Sequence, residues 1–488
     1  MLFCTYILTQ IPSFAYWITI FVILFLIIVL AYFYLEWKTW SLQKMEEYLE
    51  KIIRHRTSVL VKEKTQMEGL LINLLPRETA EELKTTNRVV PRLYQVVTIL
   101  FADIQGFTKI SKEISPEELI RILDEIFFHF DKIVEKYNIE KIKTIGDSYM
   151  CAGGVPRKNT TNPVEVTAAA LEMQYVMNEL NVRRNIQWKL RIGIHTGPVI
   201  AGVIGSKKLT YDIWGDSVNT ASRMETYGEA GKVNVSGTTC RVIEDFFDCE
   251  YREKIPVKNI GPVEMYFVNG FKKEFAGRHN HEPNERFLIK LQLLRLNDMQ
   301  EEVYSKLQNE LPAYITYSNW QHTIDVQNYC EALGKYEKLS DEQMLVLKTA
   351  ALLHDTGYIW DGEAHTRRSA EFASQLMNKY HYSQKHIQQV CDLINATEIP
   401  YKPSGLLEQI ICDADQSYLL KKNVEEYILN KYKQLKALKK IKSEKKWYRE
   451  EAEKVLSPKF FTTYIYNFDE LSKEERRGIY EKIIQQCK

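Results

Sequence analysis

The chain has 488 residues, more than one ordinary core holds, so two or three domains are expected. Its 65 Lys plus Arg nearly balance 64 Asp plus Glu, leaving a formal charge of +1; no global field points to nucleic acid, and none is expected as a partner. The 8 cysteines lie scattered without CxxC spacing, which excludes a disulfide framework or a cysteine zinc site and fits reduced thiols in a cytosolic setting.

Residues 1–13 read as a short extracytoplasmic N-terminus. The next segment, 14–35 (FAYWITIFVILFLIIVLAYFYL), carries no charge, and as a helix it would span about 33 Å against a hydrocarbon core of roughly 30 Å. A signal peptide would have a shorter apolar run, a basic start and a small-residue cleavage site, so the segment reads as a retained transmembrane helix. Lys38, Lys44, Lys51 and Arg54 follow it and nothing basic precedes it. The positive-inside rule therefore predicts a single-pass protein of the cell membrane with everything after residue 36 cytoplasmic. Trp17, Tyr32, Tyr34, Trp37 and Trp40 suit the interfacial belts.

Over 36–75 the apolar positions Leu42, Met45, Leu49 and Ile52 alternate by three and four, the seam of a coiled coil. Arg56 takes the next seam position, and the pattern resumes in a shifted register at Leu60, Met67, Leu71 and Leu74, as a stutter produces. This signalling helix would hold two chains parallel; the alternative is one amphipathic helix lying on its own domain. Pro76 is expected to end or kink it before a short helical piece over 78–83.

The run VVTILFADI then reads as a strand buried on both faces that ends on Asp103 and turns at Gly106. Alone, Asp103 reads as a turn residue or as a cap for the helix beginning near Pro116. That helix (PEELIRILDEIFFHFDKIVEKY) leads to a hairpin, IEKIKTIGDSYMCAGG, whose turn presents Asp147 beside Gly146. Another helix, PVEVTAAALEMQYVMNEL, and a pair of strands in WKLRIGIHTGPVIAGVIG complete a βαββαβ order, a ferredoxin-like core. Such a sheet can bring Asp103 near Asp147, and two converging carboxylates need a cation between them.

FADIQGFT, KTIGDSYM and YDIWGDSVNTASRME, in that order, resemble the class III nucleotide cyclases over roughly 96–269. The resemblance implies that Asp103, Asp147 and the Ile104 carbonyl hold two Mg²⁺ or Mn²⁺, and that the ribose 3′-hydroxyl attacks the α-phosphorus and expels pyrophosphate. It further implies that Asn219 orients the ribose, that Arg223 stabilises the transition state, and that Arg191 and Lys258 contact phosphate. The purine-selecting pair falls on Lys143 and Asp212. Lysine donates to the N1 edge of adenine and aspartate accepts from its 6-amino group, whereas guanylate cyclases typically carry Glu and Cys there. Mismatched polar edges would remain buried and unpaired, which can reject the wrong base by roughly 10⁴-fold, so ATP is the expected substrate. Two departures, Asp216 where some relatives have Asn and Ile260 where some have a second lysine, empty no catalytic role. With every role filled in one chain, a homodimer with two equal sites is implied.

From about Arg286 the pattern turns helical. YSNWQHTIDV, ALLHDTGY, HTRRSAEFA and ICDADQSYL place His322, an adjacent His354 and Asp355, and Asp415 on predicted helices. This set resembles the HD metal-dependent phosphohydrolases over roughly 296–420 and implies one divalent metal. The phosphodiesterase-like relatives write YHN before the first metal histidine, and that earlier His protonates the leaving alkoxide; here the triplet is Tyr317, Ser318, Asn319, and a serine hydroxyl delivers no proton at neutral pH. His365 is a candidate ligand of a second metal, while the later histidine of binuclear versions is replaced around Asn395. An active hydrolase and a metal-holding regulator both stay open. The basic run 431–446 reads as a solvated helix face or a contact with anionic lipid.

The whole reads as α+β: a transmembrane helix (14–35), a signalling helix (36–75), a cyclase domain (76–275), a linker (276–295), an all-α HD domain (296–420) and a basic helical tail (421–488). The expected function is a membrane-anchored adenylate cyclase. Its rivals are a nucleotide-sensing regulator whose HD domain does the only chemistry, and a guanylate cyclase.

Overall fold

The computed structural model describes residues 2–72, 75–205, 209–257 and 261–485; the side chains of 2–15, 68, 70–72 and 257 lie outside the description. The chain divides into two compact units, Met1–Arg88 and Val89–Lys488. In the first, α1 (Leu2–Ile72) is one continuous helix, and α2 (Arg77–Thr86) starts directly after Pro76, whose missing N–H suits a helix start. Among the described residues, one helix is long and apolar enough to cross a membrane, with a mean hydropathy of 2.9 in its most apolar window. The expected seam residues Leu42, Met45, Leu49, Leu60 and Met67 are exposed. The Leu71 side chain and Leu74 lie outside the described residues.

The second unit opens with β1 (Arg92–Ile104), α3 (Phe107–Glu113), α4 (Pro116–Lys136), β2 (Glu140–Ile145), β3 (Ser148–Gly153), α5 (Asn162–Arg184) and β4 (Leu190–Ile204). It continues with β5 (Thr210–Trp214), α6 (Asp216–Thr226), β6 (Val233–Ser236), α7 (Gly237–Ile243), β7 (Phe247–Val257) and β8 (Gly261–Phe271). The sheet order β2-β3-β1-β4 with antiparallel neighbours is the ferredoxin-like core, extended by β6-β8-β7 on one side, while β5 pairs with β4. Ser115, not Asp103, caps α4, its hydroxyl accepting from the Glu118 amide.

One expected strand pair is a single strand. WKLRIGIHTGPVIAGVIG forms only β4, because Pro198 falls after the stretch paired with β6 (192–194) and before the stretch paired with β5 (200–204), opposite a bulge in β1. No ladder needs its absent N–H there. Side chains alternate across β4. Ile192 and Ile194 join the core that α4 and α5 cover. On the other face Gly193 lets α6 sit directly on the strand: a Cβ there would lie 1.8 Å from the Glu225 nitrogen.

The helices that follow are α8 (Glu285–Glu310), α9 (Trp320–Tyr336), α10 (Asp341–Leu353), α11 (His365–Lys379), α12 (Gln384–Ala396), α13 (Leu406–Asp415), α14 (Val424–Ala437), α15 (Glu444–Leu456) and α16 (Lys473–Gln485). One expectation differs here. The segment 276–295 is only partly a linker: α8 begins within it, and its Phe287 and Leu291 belong to the cyclase core while Leu296, Met299, Val303 and Leu307 belong to the HD core. In the basic run 431–446 every lysine but Lys431 is exposed, as on a solvated face, while outside it Val424, Ile428, Ala452, Val455, Ile479 and Ile483 pack with Tyr317, Tyr418 and Leu419 into a third buried cluster.

Candidate functional site

At the end of β1, Asp103 stands opposite Arg191 of β4 in register, and the β2–β3 turn delivers Asp147 beside it. Burial, and next the Asp103 charge, push the Asp147 carboxyl up to about 6, while the Ile104 backbone amide hydrogen-bonds to it. Two acids this close, one held back from ionising by the other, form a donor set that fits a divalent cation. Arg191 Nη2 lies 2.9 Å from Asp103 and 2.8 Å from Glu225, so one guanidinium bridges two carboxylates. Glu225 was not among the residues singled out from sequence. It follows Arg223 by two positions in SRME and reaches the site only because α6 lies flat on Gly193.

A second group forms on the other side of the hairpin. The Lys143 ammonium donates to Asp212 at 2.5 Å, joining β2 to β5. Directly after β5, α6 carries Asn219 and Arg223 one turn apart. Neither side chain has a hydrogen-bond partner among the described residues, which leaves both available to a ligand. Lys258 and Ile260 lie outside the described residues.

In the helical half, Asn319 caps α9 by accepting from the Gln321 and His322 amides, which fixes His322 in the first turn. His354 and Asp355 follow α10, and Asp415 ends α13. Ligand atoms of His322, His354 and Asp355 fall within 4.8 Å of one another, and Asp415 Oδ1 is 3.1 Å from His322 Nε2. His354 Nδ1 sits 2.9 Å from the Ala351 carbonyl, so with its proton there Nε2 turns a lone pair inward. Burial lowers the His322 pKa, but Asp415 and Asp355 outweigh it and hold the ring above its usual value; Asp415 in turn lies well below the usual carboxylate range. Two imidazoles and two carboxylates in a buried cluster fit a divalent transition metal. His365 Nε2 lies 4.0 Å from Asp355, at the edge of the cluster, and Asn395 is exposed at the end of α12.

The sheet, the acid pair and the Lys–Asp pair define a nucleotide cyclase catalytic domain, joined to a helical domain that holds a buried His–Asp cluster. Residues 89–270 match the adenylate and guanylate cyclase catalytic domain, and residues 319–417 match the HD domain. The chain thus carries a class III cyclase domain followed by an HD domain. It is similar to atrial natriuretic peptide receptor 2 of Bos taurus, 38% identical over 244 residues, or 48% of this chain and 23% of that protein. It is also similar to an adenylate cyclase of Mycobacterium bovis, 39% identical over 216 residues, or 44% of this chain and 49% of that protein. Among solved structures, the guanylate cyclase domain of RhGC from Catenaria anguillulae in complex with GTP is 31% identical, covering 37% of this chain and all of that one, with a TM-score of 0.36. The chain spans about a quarter of the receptor and about half of the bacterial enzyme. Cyclases of both bases match, so membership defines a nucleotide cyclase domain and not its purine.

Proposed function

We propose that the chain is a membrane-anchored adenylate cyclase that converts ATP to 3′,5′-cyclic AMP and pyrophosphate at sites shared by two copies. The observation that carries the choice of adenine is the Lys143–Asp212 pair, a donor from β2 beside an acceptor from β5, which matches the N1 and 6-amino edge of adenine and mismatches guanine. Asp103, Asp147 and the Ile104 carbonyl would hold two Mg²⁺ or Mn²⁺, which when bound supply Lewis-acid activation of the 3′-hydroxyl and neutralise the triphosphate. Asn219 orients the ribose, Arg223 stabilises the charge that develops at the α-phosphorus, and Arg191, held by Glu225, contacts phosphate with Lys258. The apolar stretch of α1 anchors the chain, with both domains cytoplasmic, and the seam after it keeps two chains parallel.

Purified chain incubated with ATP or GTP and Mg²⁺ or Mn²⁺ tests this by product identification. Cyclic AMP from ATP is expected, lost on Asp103→Ala with the fold retained. Cyclic GMP from GTP as the main product, or a folded Asp103→Ala variant with near-normal turnover, would overturn the reading.

A further inference from the structure

The metal-binding cluster of the helical domain lies almost out of reach of solvent. His354 is 1% exposed, His322 4% and Asp355 8%. The cover comes from the C-terminal helices, which lie beyond the residues that match the HD domain. From α14, the Gln434 carbonyl oxygen accepts from the Tyr317 and Ser318 amides at 2.9 and 3.0 Å, and its amide donates to the Ser318 hydroxyl at 3.0 Å. Gln434 is itself 2% exposed. The Tyr358 ring stacks on His365 at 4.1 Å. Tyr317, so held, lays its ring against His322 at 4.6 Å and donates to the Asp415 carbonyl at 3.3 Å.

The helix α14 is pinned at its middle and just past its C-terminal end. At its middle Thr316 donates to the Asn430 carbonyl at 2.7 Å, and the Lys431 ammonium donates to the Tyr418 hydroxyl at 2.8 Å. Just past its C-terminal end Leu438 packs on Gly362, where a Cβ would lie 2.2 Å from it. The helix therefore crosses the side of the cluster between Ser318 and the loop before His365. Further along the chain, Asp413, two residues before Asp415, accepts from the Phe461 and Thr462 amides and the Thr462 hydroxyl, tying the tail to α13.

We propose that the C-terminal helices make this centre a sealed site that holds its metal and exchanges it slowly, with Gln434 as the positioning residue that keeps it shut. The proposal rests on His322, His354, Asp355 and Asp415 as ligands. A sealed centre retains its ion as part of the fold, and no phosphate ester reaches it while α14 is in place. The test uses the full chain in detergent with Asp103→Ala, so that ions of the cyclase site are not counted. The protein is loaded with Mn²⁺, challenged with excess EDTA, and sampled for bound metal over time. Gln434→Ala opens the lock at Ser318, Leu438→Ser loosens the far end in case the first variant folds poorly, and circular dichroism confirms the fold. About one ion per chain should persist in the parent and leave at least about tenfold faster from either folded variant, while His354→Ala should retain none. Release from the parent as fast as from both folded variants would overturn the seal. An equal metal content in His354→Ala, or no retained metal at all, would overturn the ligand set and the proposal with it.

Discussion

The carboxyl of Asp147 and the pair Lys143–Asp212 carry opposite lessons in the same hairpin. The raised Asp147 value means that the folded protein binds a proton more tightly than the unfolded chain, so in the cation-free protein stability is fully present below about 4 and falls as pH rises to about 6. Asp147→Asn should flatten that slope, as should saturating Mn²⁺, which favours the ionised form. Denaturant midpoints measured from pH 4 to 7 check this, and a parent curve as flat as the variant's would contradict it. For the base pocket, Lys143→Glu with Asp212→Cys exchanges a donor and an acceptor for the reverse pattern. The ratio of kcat/KM for ATP over GTP should fall by about 10²-fold or more. An unchanged ratio in the folded variant would remove the pair from the pocket. Asp147 was legible from its place in the hairpin turn, whereas Lys143 and Asp212 were singled out only through the resemblance to the cyclases. Glu225 was not, since its place depends on the close seat of α6 on Gly193, and Gln434 was not, since its partner lies 116 residues away.

Among the elements, α8 departs furthest from its sequence reading. Its apolar positions continue at helical spacing from Phe287 to Leu307, but the stripe serves two different cores, and periodicity alone carries no mark of where one partner gives way to the other. The change of partner falls near Arg295, whose guanidinium meets the 2%-exposed Glu165 of α5 at 2.6 Å. Burial raises the Glu165 pKa and Arg295 draws it back down. Removing one partner from so buried a pair strands the other, so Arg295→Ala should destabilise the second unit by about 3–5 kcal/mol. Arg295→Met with Glu165→Leu should recover most of the loss. Chemical denaturation measures both, and an Arg295→Ala variant within about 0.5 kcal/mol of the parent would show that the pair carries no weight. The other elements followed their local signals: Pro76 and Pro116 at helix starts, Gly146 in the hairpin turn, and alternation along the central strands. The strand β4 was misread, because a Gly-Pro that usually breaks a strand falls where neighbouring ladders leave a gap.

At the scale of the whole molecule, each chain carries two groups, the acid pair Asp103 and Asp147, and the Lys143–Asp212 pair with Asn219 and Arg223 of α6. A cyclase site in our reading takes the first from one chain and the second from its partner. Lys143 and Asp147, four residues apart on one hairpin, would then serve different sites. A chain with Asp103→Ala and a chain with Arg223→Ala should each be inactive alone, because both sites of either homodimer lack one essential group. Mixed dimers gather both lesions in one site and leave the other intact. With random equal pairing, half the dimers carry one good site of two. The decisive measurement is therefore cyclic AMP formation from ATP by the two variants co-expressed and shown to pair: roughly a quarter of wild-type activity is predicted, and activity no higher than that of either variant alone would contradict a site shared between two chains.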